Sequence, residues 1–353
     1  MGIDAATFEE TYKIMSKRLA GIVPKDEIRP KAELAYEINR LKKERNALIL
    51  GHNYMEPALF VSVPDMVGDS LQLARMALET DCDPIIFCGV RFMAESAKIL
   101  NPQKTVLLPA TRAGCSLAES ISAEDVRKLR AKYPGLPVVN YINTYVDIKA
   151  EVDVCCTSAN SVKVVQSYGN QPVIFTPDEY MAKNIGAETG RPVYVIPNDG
   201  DTSRWTDLKD LPADVIIGWR GRCEVHEAFS LADVQEVREQ IPGVAILAHP
   251  ECSPEVFEAA DFGGSTSQMI KNVMESAAPH FFLLTECSMG DNIMAENPSK
   301  DILRMCSKTC THMKEVTLEE VLRSLRENVQ RIEIDEELRL RAKGSLDRML
   351  QIS

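Results

Sequence analysis

Beyond Ala47 the chain settles into short apolar runs separated by longer amphipathic stretches. Ala47-Leu-Ile-Leu-Gly-His52, Pro84-Ile-Ile-Phe-Cys88 and Thr105-Val-Leu-Leu108 read as buried strands, and Asp69–Glu79 between the first two reads as a helix. Val215-Ile-Ile-Gly218 is a further strand, with a cysteine, a histidine and two carboxylates a few residues beyond it. Alternating β and α segments predict parallel sheets joined by right-handed crossovers, an α/β fold. In such folds reactive groups gather just past the carboxyl ends of strands. Two helical stretches come first, 4–20 (Phe8, Tyr12, Met15, Leu19) and 30–46 (Leu34, Ile38, Leu41), split by a Gly/Pro break. From Thr317 the pattern is again helical and charged (Leu318, Val321, Leu322, Leu325), and a last helix is predicted over Glu336–Leu350. Both ends read as packing, without chemistry.

Lining up the polar residues that end the strands exposes an internal repeat. The first strand of each unit ends in a ring: His52 in GHNY, Tyr141 in NYIN, His249 in AHPE. A hydroxyl-bearing segment then opens a helix in each: Gly68-Asp-Ser70, Thr157-Ser158 and Gly264-Ser265-Thr266. The separations are 18 residues from His52 to Ser70, 17 from Tyr141 to Ser158 and 16 from His249 to Ser265. Each unit closes on a cysteine (Cys115, Cys223, Cys310) lying 63, 82 and 61 residues after its ring. The surplus of about 20 in the second unit falls on the polar excursion Asn198–Asp210, read as an insertion. The repeat predicts three similar three-layer α/β domains with parallel sheets, related by pseudo-threefold symmetry around a central site. The expected division is a helical lead-in over 1–45, domains over 46–128, 129–235 and 236–330, and a terminal helix over 331–353.

Composition narrows the partners. The 353 residues are 45% apolar and 26% charged, ordinary for a globular chain. No apolar run approaches the ~18 residues that span a bilayer, and the start lacks a signal-peptide core. A cytoplasmic protein without a membrane partner is expected. The net charge of −12 argues against nucleic acid, which needs a basic face. Ten cysteines in a reducing compartment do not suggest a disulfide framework. No CxxC pair occurs, so any metal site must draw its ligands from distant segments.

If the strand ends meet, Cys115, Cys223 and Cys310 converge. Three thiolates suit tetrahedral zinc, or a [4Fe–4S] cluster whose fourth iron stays open as a Lewis acid. Ser70, Ser158, Ser265 and Thr266 at helix starts suit a carboxylate or phosphate. His52, Tyr54, Tyr141, His226, His249 and Glu251 supply proton donors and acceptors. Three functions fit: an Fe–S synthase, a zinc-dependent hydrolase or aldolase on a small anion, and a non-catalytic Fe–S sensor of redox state or anions. A sensor does not need so many titratable groups at its strand ends.

GHNY (51–54), VGDSLQLA (67–74), FMAESAKIL (92–100), AGC (113–115), YIN (141–143), TSAN (157–160), GxCxVHE (221–227), HPEC (249–252), GSTSQMI (264–270) and CTHMK (310–314) together resemble quinolinate synthases. The resemblance runs from about residue 46 to the C-terminus. It implies three α/β domains around one [4Fe–4S] cluster, and condensation of iminoaspartate with dihydroxyacetone phosphate to quinolinate, the precursor of the NAD pyridine ring. It implies Cys115, Cys223 and Cys310 as cluster ligands. His52, Tyr141, Asn143, Ser158, His249, Glu251 and Thr266 match positions around the dicarboxylate substrate, with Ser70 at the first helix start. Tyr54 and Glu251 match acid–base positions. The enzyme that supplies iminoaspartate is an implied partner, at least by metabolite hand-over. Cys306, four residues before Cys310, departs from the family's cysteine spacing, which leaves a redox role for it open; it is expected to be dispensable for cluster assembly.

The remaining candidates have plainer readings. Cys82, Cys88, Cys155, Cys156, Cys252 and Cys287 lie in or beside apolar strands and read as core. His280 reads as a strand-start residue, His312 as a neighbour of Cys310 rather than a site residue, and Glu227 as a helix-capping carboxylate.

Overall fold

The structure, a computed structural model, describes residues 2–197 and 201–352. Three parallel sheets follow one another along the chain. The first holds β1 (Leu48–His52), β2 (Met66–Gly68), β3 (Ile85–Cys88) and β4 (Val106–Leu107) in the order β2-β1-β3-β4. The second holds β5 (Val138–Tyr141), β6 (Val154–Cys156), β7 (Val173–Thr176), β8 (Val193–Val195) and β9 (Ile216–Gly218), ordered β6-β5-β7-β9-β8. The third holds β10 (Ala245–Ala248), β11 (Phe262–Gly263), β12 (His280–Leu284) and β13 (Asp301–Leu303), ordered β11-β10-β12-β13. Helices flank the sheets, so the central strands are buried on both faces and read as unbroken apolar runs rather than alternating ones.

The repeat extends beyond the rings, hydroxyls and cysteines. In each sheet one aspartate accepts the N–H near the start of the first strand: Asp65 from Ile49, Asp153 from Val138 and Asp261 from Ile246, each at 2.8 Å. The second sheet differs from the others by its edge strand β8. The helix Glu179–Thr189 ends well before β9 starts at Ile216, whereas Arg91–Leu100 and β4 are separated only by 101–105. The insertion therefore begins before Asn198 and includes β8. Beyond it lie two single turns, Thr202–Arg204 and Leu208–Asp210, anchored by buried Trp205 stacked on Tyr133 at 6.5 Å. Asn198–Gly200 lie outside the described residues.

The lead-in forms the helices Phe8–Arg18 and Lys25–Glu44. The second starts ahead of Pro30, not at it. A proline near the beginning of a helix removes only one early hydrogen bond, and burial of Ile28 and Ala32 offsets that loss. The helix Leu318–Glu327 packs on Lys25–Glu44, and Glu336–Ile352 covers β6 and the short helix Val146–Lys149, whose Lys149 carbonyl accepts the Ser345 hydroxyl at 2.9 Å. Of the cysteines read as core, Cys88, Cys155, Cys156 and Cys252 are fully buried and Cys287 nearly so. Cys82 is not core: between Asp81 and Asp83 it sits in a half-exposed turn before β3. Among the described residues no helix is long and apolar enough to cross a membrane.

Candidate active site

The exits of the three sheets face one cavity. It is lined by Cys115 from the first unit, Cys223 from the second and Cys310 from the third. The local fold around the thiols recurs. Cys115 and Cys310 are N-caps of the single-turn helices Ser116–Glu119 and Thr311–Lys314, and Cys223 opens a turn running through Glu227. Backbone N–H groups of Leu117 and Ala118 favour the Cys115 thiolate, as do those of Met313 and His312 for Cys310 and of His226 for Cys223. Burial outweighs them. It raises all three thiols, Cys310 to about 11; the charge of Glu251 adds to the rise at Cys115 and Cys223, as does Cys310 at Cys115 and Cys115 at Cys223. With no Lys or Arg lining the cavity to offset their charge, such thiols give up their protons when a cation binds. Gly221 lets the Cys223 loop into place: a Cβ there would lie 2.4 Å from the Pro177 carbonyl and 2.3 Å from the Ser120 hydroxyl.

His52 ends β1 and His249 follows β10, and the two are held alike. The His52 Nδ1 accepts the Tyr54 N–H at 3.3 Å, and the His249 Nδ1 accepts the Glu251 N–H at 3.4 Å. With Nδ1 accepting, a neutral ring carries its proton on Nε2. Burial keeps both rings neutral, lowering His52 to about 4 and His249 to about 3. Each is thus an uncharged N–H donor.

A buried chain of hydrogen bonds crosses the cavity wall. The Glu251 carboxylate accepts from the Tyr141 hydroxyl at 2.5 Å and from the Asn143 amide at 3.4 Å, and its second oxygen lies 2.9 Å from the His226 Nδ1. Because a carboxylate only accepts, that nitrogen carries the proton, and in a neutral ring the His226 Nε2 then accepts the Thr285 hydroxyl at 2.9 Å. The one proton of Thr285 is then committed, so the Tyr54 hydroxyl, 2.5 Å from the Thr285 oxygen, must donate. The result is a directional run, Tyr54 to Thr285 to His226 to Glu251. Burial, with Glu251 nearby, raises both Tyr54 and Tyr141 well above the usual phenol range. Burial also works against the Glu251 charge, but the His226 ring and the Tyr141 hydroxyl, both bonded to the carboxylate, outweigh it and hold the carboxyl well below its ordinary value.

The helix starts resolve the hydroxyls. Asp69 and Ser265 are the N-caps of Ser70–Glu79 and Thr266–Glu275, each in a capping box with the glutamine three residues on, Gln72 and Gln268. Ser70 and Thr266 therefore occupy equivalent first positions and line the cavity. Ser265, expected to bind substrate, does not line it: its hydroxyl accepts the Gln268 N–H at 3.4 Å and donates to Asp69 at 3.2 Å. Ser158 lines the cavity, but from a turn; the helix expected there starts at Ser161, since Asn160 accepts the Thr157 N–H at 2.7 Å and ties the intervening residues into a loop. All the other expected site residues reach the wall: His52, Tyr54, Tyr141, Asn143, His226, His249 and Glu251. His312 also lines it, 3.8 Å from Glu224. Glu227 caps no helix and pairs instead with Arg222 at 2.5 Å.

Sequence reasoning missed Thr285 and Glu286, which follow β12. Burial, opposed by Lys314, pushes Glu286 up to about 7. Alignment of the third strand of each unit, which leads to Gly89-Val90, Pro177-Asp178 and Thr285-Glu286, would have pointed to them. No Lys or Arg is among the cavity-lining residues, so an anion there meets neutral donors and helix starts. Among the described residues one group could hold a single metal ion, Cys223, His226 and Glu251, whose ligand atoms lie within 4.8 Å of one another.

Three parallel α/β sheets meeting at a buried, metal-competent cavity with an acid–base chain in its wall define an α/β protein with an enzyme's active site. Residues 36–351 match the family described as Quinolinate synthetase A protein, and this chain belongs to that family. It is 48% identical over 312 residues to Quinolinate synthase 2 of Mesorhizobium japonicum, covering 88% of this chain and 89% of that protein. It is 46% identical over 335 residues to the quinolinate synthase of Agrobacterium fabrum, covering 95% and 90%. With that of Xylella fastidiosa it shares 47% over 315 residues, covering 89% and 86%.

Proposed function

We propose that this chain condenses iminoaspartate with dihydroxyacetone phosphate to quinolinate, releasing phosphate and water, with a [4Fe–4S] cluster held by Cys115, Cys223 and Cys310. The observation that carries the reading is the arrival of one cysteine from each sheet on a cavity that also bears the acid–base chain. The donor set fits: all-thiol, from three units, each sulfur facing backbone N–H groups. When bound, the cluster supplies Lewis acidity at its open iron.

The protein's own groups account for the rest. Ser158 and Thr266, with the Nε2–H of His52 and His249, hold the substrate carboxylates through neutral donors. Removal of a proton from a carbon needs a base, and the buried Tyr54 phenol becomes one by passing its proton to Thr285, which passes its own to the His226 Nε2. Glu251 then faces an imidazolium and stabilises it. Run in reverse, the chain returns a proton to a departing oxygen. Tyr141 and Asn143 fix the Glu251 carboxylate. We read the three units, 46–128, 129–235 and 236–330, as arranged about this site by a pseudo-threefold axis, with 1–45 and 331–353 as flanking helices and the cytoplasm as the working location.

The compact Cys223, His226 and Glu251 set favours a second reading, a mononuclear zinc hydrolase or aldolase. Anaerobically purified protein given iminoaspartate and dihydroxyacetone phosphate separates the two. Quinolinate should accumulate; none from iron-replete protein would overturn the proposal.

A further inference from the structure

Outside the cavity the third unit holds a second group of thiols. Cys287 begins the helix Cys287–Glu296, directly after β12 and Thr285-Glu286, and Cys306 lies in the loop after β13. Their sulfurs are 3.0 Å apart. Cys287 is 6% exposed, whereas Cys306 is exposed. The two segments are already joined: the Cys287 N–H donates to the Lys308 carbonyl at 3.2 Å, and the Cys310 N–H donates to Glu286 at 3.4 Å.

We propose that Cys287 and Cys306 form a reversible dithiol–disulfide site, oxidised by low-molecular-weight disulfides. The sulfurs need to approach by only about 1 Å to reach bonding distance, ~2.05 Å. Exposure makes Cys306 the entry point. Its thiolate attacks one sulfur of the small disulfide, forming a mixed disulfide and releasing one small thiolate. The Cys287 thiolate then attacks the Cys306 sulfur, forming the protein disulfide and releasing the second small thiolate; the two thiol protons go to the two leaving thiolates. Two protein thiols are oxidised and one small disulfide is reduced. Burial, together with Cys306, raises the Cys287 thiol to about 12, in keeping with the first attack belonging to Cys306.

The pairing bears on the neighbouring ligand position. Cys306 precedes Cys310 by four residues, and bonding to Cys287 keeps it from bonding to Cys310. Cys287 thus shields the Cys310 thiol during oxidation while leaving the Cys310 loop on its existing hydrogen bonds. The site stands on its own geometry, independent of the substrates proposed above.

The test is a titration of anaerobically purified full-length protein with oxidised against reduced glutathione, followed by acid quench, alkylation, digestion and mass spectrometry. The peptides bearing Cys287 and Cys306 should appear joined, two hydrogens lighter, and separate again with dithiothreitol. In Cys287→Ala the Cys306 peptide should retain glutathione as a mixed disulfide, because the resolving thiol is gone. In Cys306→Ala, Cys287 should stay alkylatable. A Cys306–Cys310 link in the unaltered protein, a persistent mixed disulfide on Cys306, or free Cys287 and Cys306 throughout would each overturn the proposal.

Discussion

Replacing Thr285 by valine removes one hydroxyl from the middle of the chain that runs from Tyr54 to Glu251 and keeps nearly the same volume. Thr285 is 2% exposed, and its oxygen lies 2.5 Å from the Tyr54 hydroxyl and 2.9 Å from the His226 Nε2. Both partners lose their bond at once. Each orphaned buried group costs about 1–3 kcal/mol when nothing replaces the bond. Both also border the cavity, where water can substitute, so the combined stability loss should fall near the low end, about 1–3 kcal/mol. The kinetic effect is larger. Without the hydroxyl, Tyr54 cannot hand its proton to His226, and loss of a general acid–base route lowers turnover by ~10²–10⁴-fold. That is about 3–5 kcal/mol of barrier. Quinolinate formation under anaerobic conditions, at saturating substrates, reads it directly, with thermal unfolding on the same preparation to separate folding from chemistry. Thr285→Ser restores the hydroxyl and should recover most of the rate. Adding Tyr54→Phe to Thr285→Val should cost little more, since the two act as a unit. Turnover within twofold of the parent in Thr285→Val would refute the relay.

Three further outcomes follow from the same geometry. Glu286 is raised from an ordinary 4.5 to about 7, so the folded state holds a proton that the unfolded chain gives up between those values, and its contribution to stability is lost as pH rises through 7; Glu286→Gln should flatten that slope and gain up to about 3 kcal/mol at pH 8 in chemical denaturation. His52 and His249 are lowered from 6.5 to about 4 and about 3, so the unfolded chain binds protons first and stability falls as pH drops below 6.5; His249→Asn should weaken the acid loss between pH 6.5 and 4 seen in melting curves. Gly221→Ala places a methyl group against the Pro177 carbonyl and the Ser120 hydroxyl, and should lower stability by about 1–3 kcal/mol and displace the Cys223 loop, read as weakened iron retention; parent-like iron retention would show that the loop tolerates the methyl.

What the sequence revealed depended on where physics leaves a local mark. Strand exits were legible because buried parallel strands are unbroken apolar runs ending abruptly in His52, Tyr141 and His249. The cysteines were legible because the repeat spaces them alike. The roles of Ser265 and Thr266 were blurred because a cap and a first helical residue are adjacent hydroxyls, and only the capping box with Gln268 assigns them. Thr285 was invisible because its importance is a meeting of β12 with Tyr54 from the first unit and His226 from the second, a tertiary fact without sequence periodicity. Asp65, Asp153 and Asp261 did carry a signal, recurring just ahead of the second strand of each unit, but in isolation each reads as a turn aspartate. Cys287 passed for core because it is buried; its partner Cys306 arrives from the far side of β13.

Metal content decides most directly between the cluster and the single-ion reading of the same cavity. Iron, acid-labile sulfide and zinc should be quantified on anaerobically purified protein and on its Cys115→Ser, Cys223→Ser, Cys310→Ser and Cys306→Ser variants. The account predicts about four irons and four sulfides per chain. All three ligand variants should lose them, and Cys306→Ser should keep them. One zinc per chain, lost with Cys223→Ser but retained in Cys115→Ser and Cys310→Ser, would contradict it.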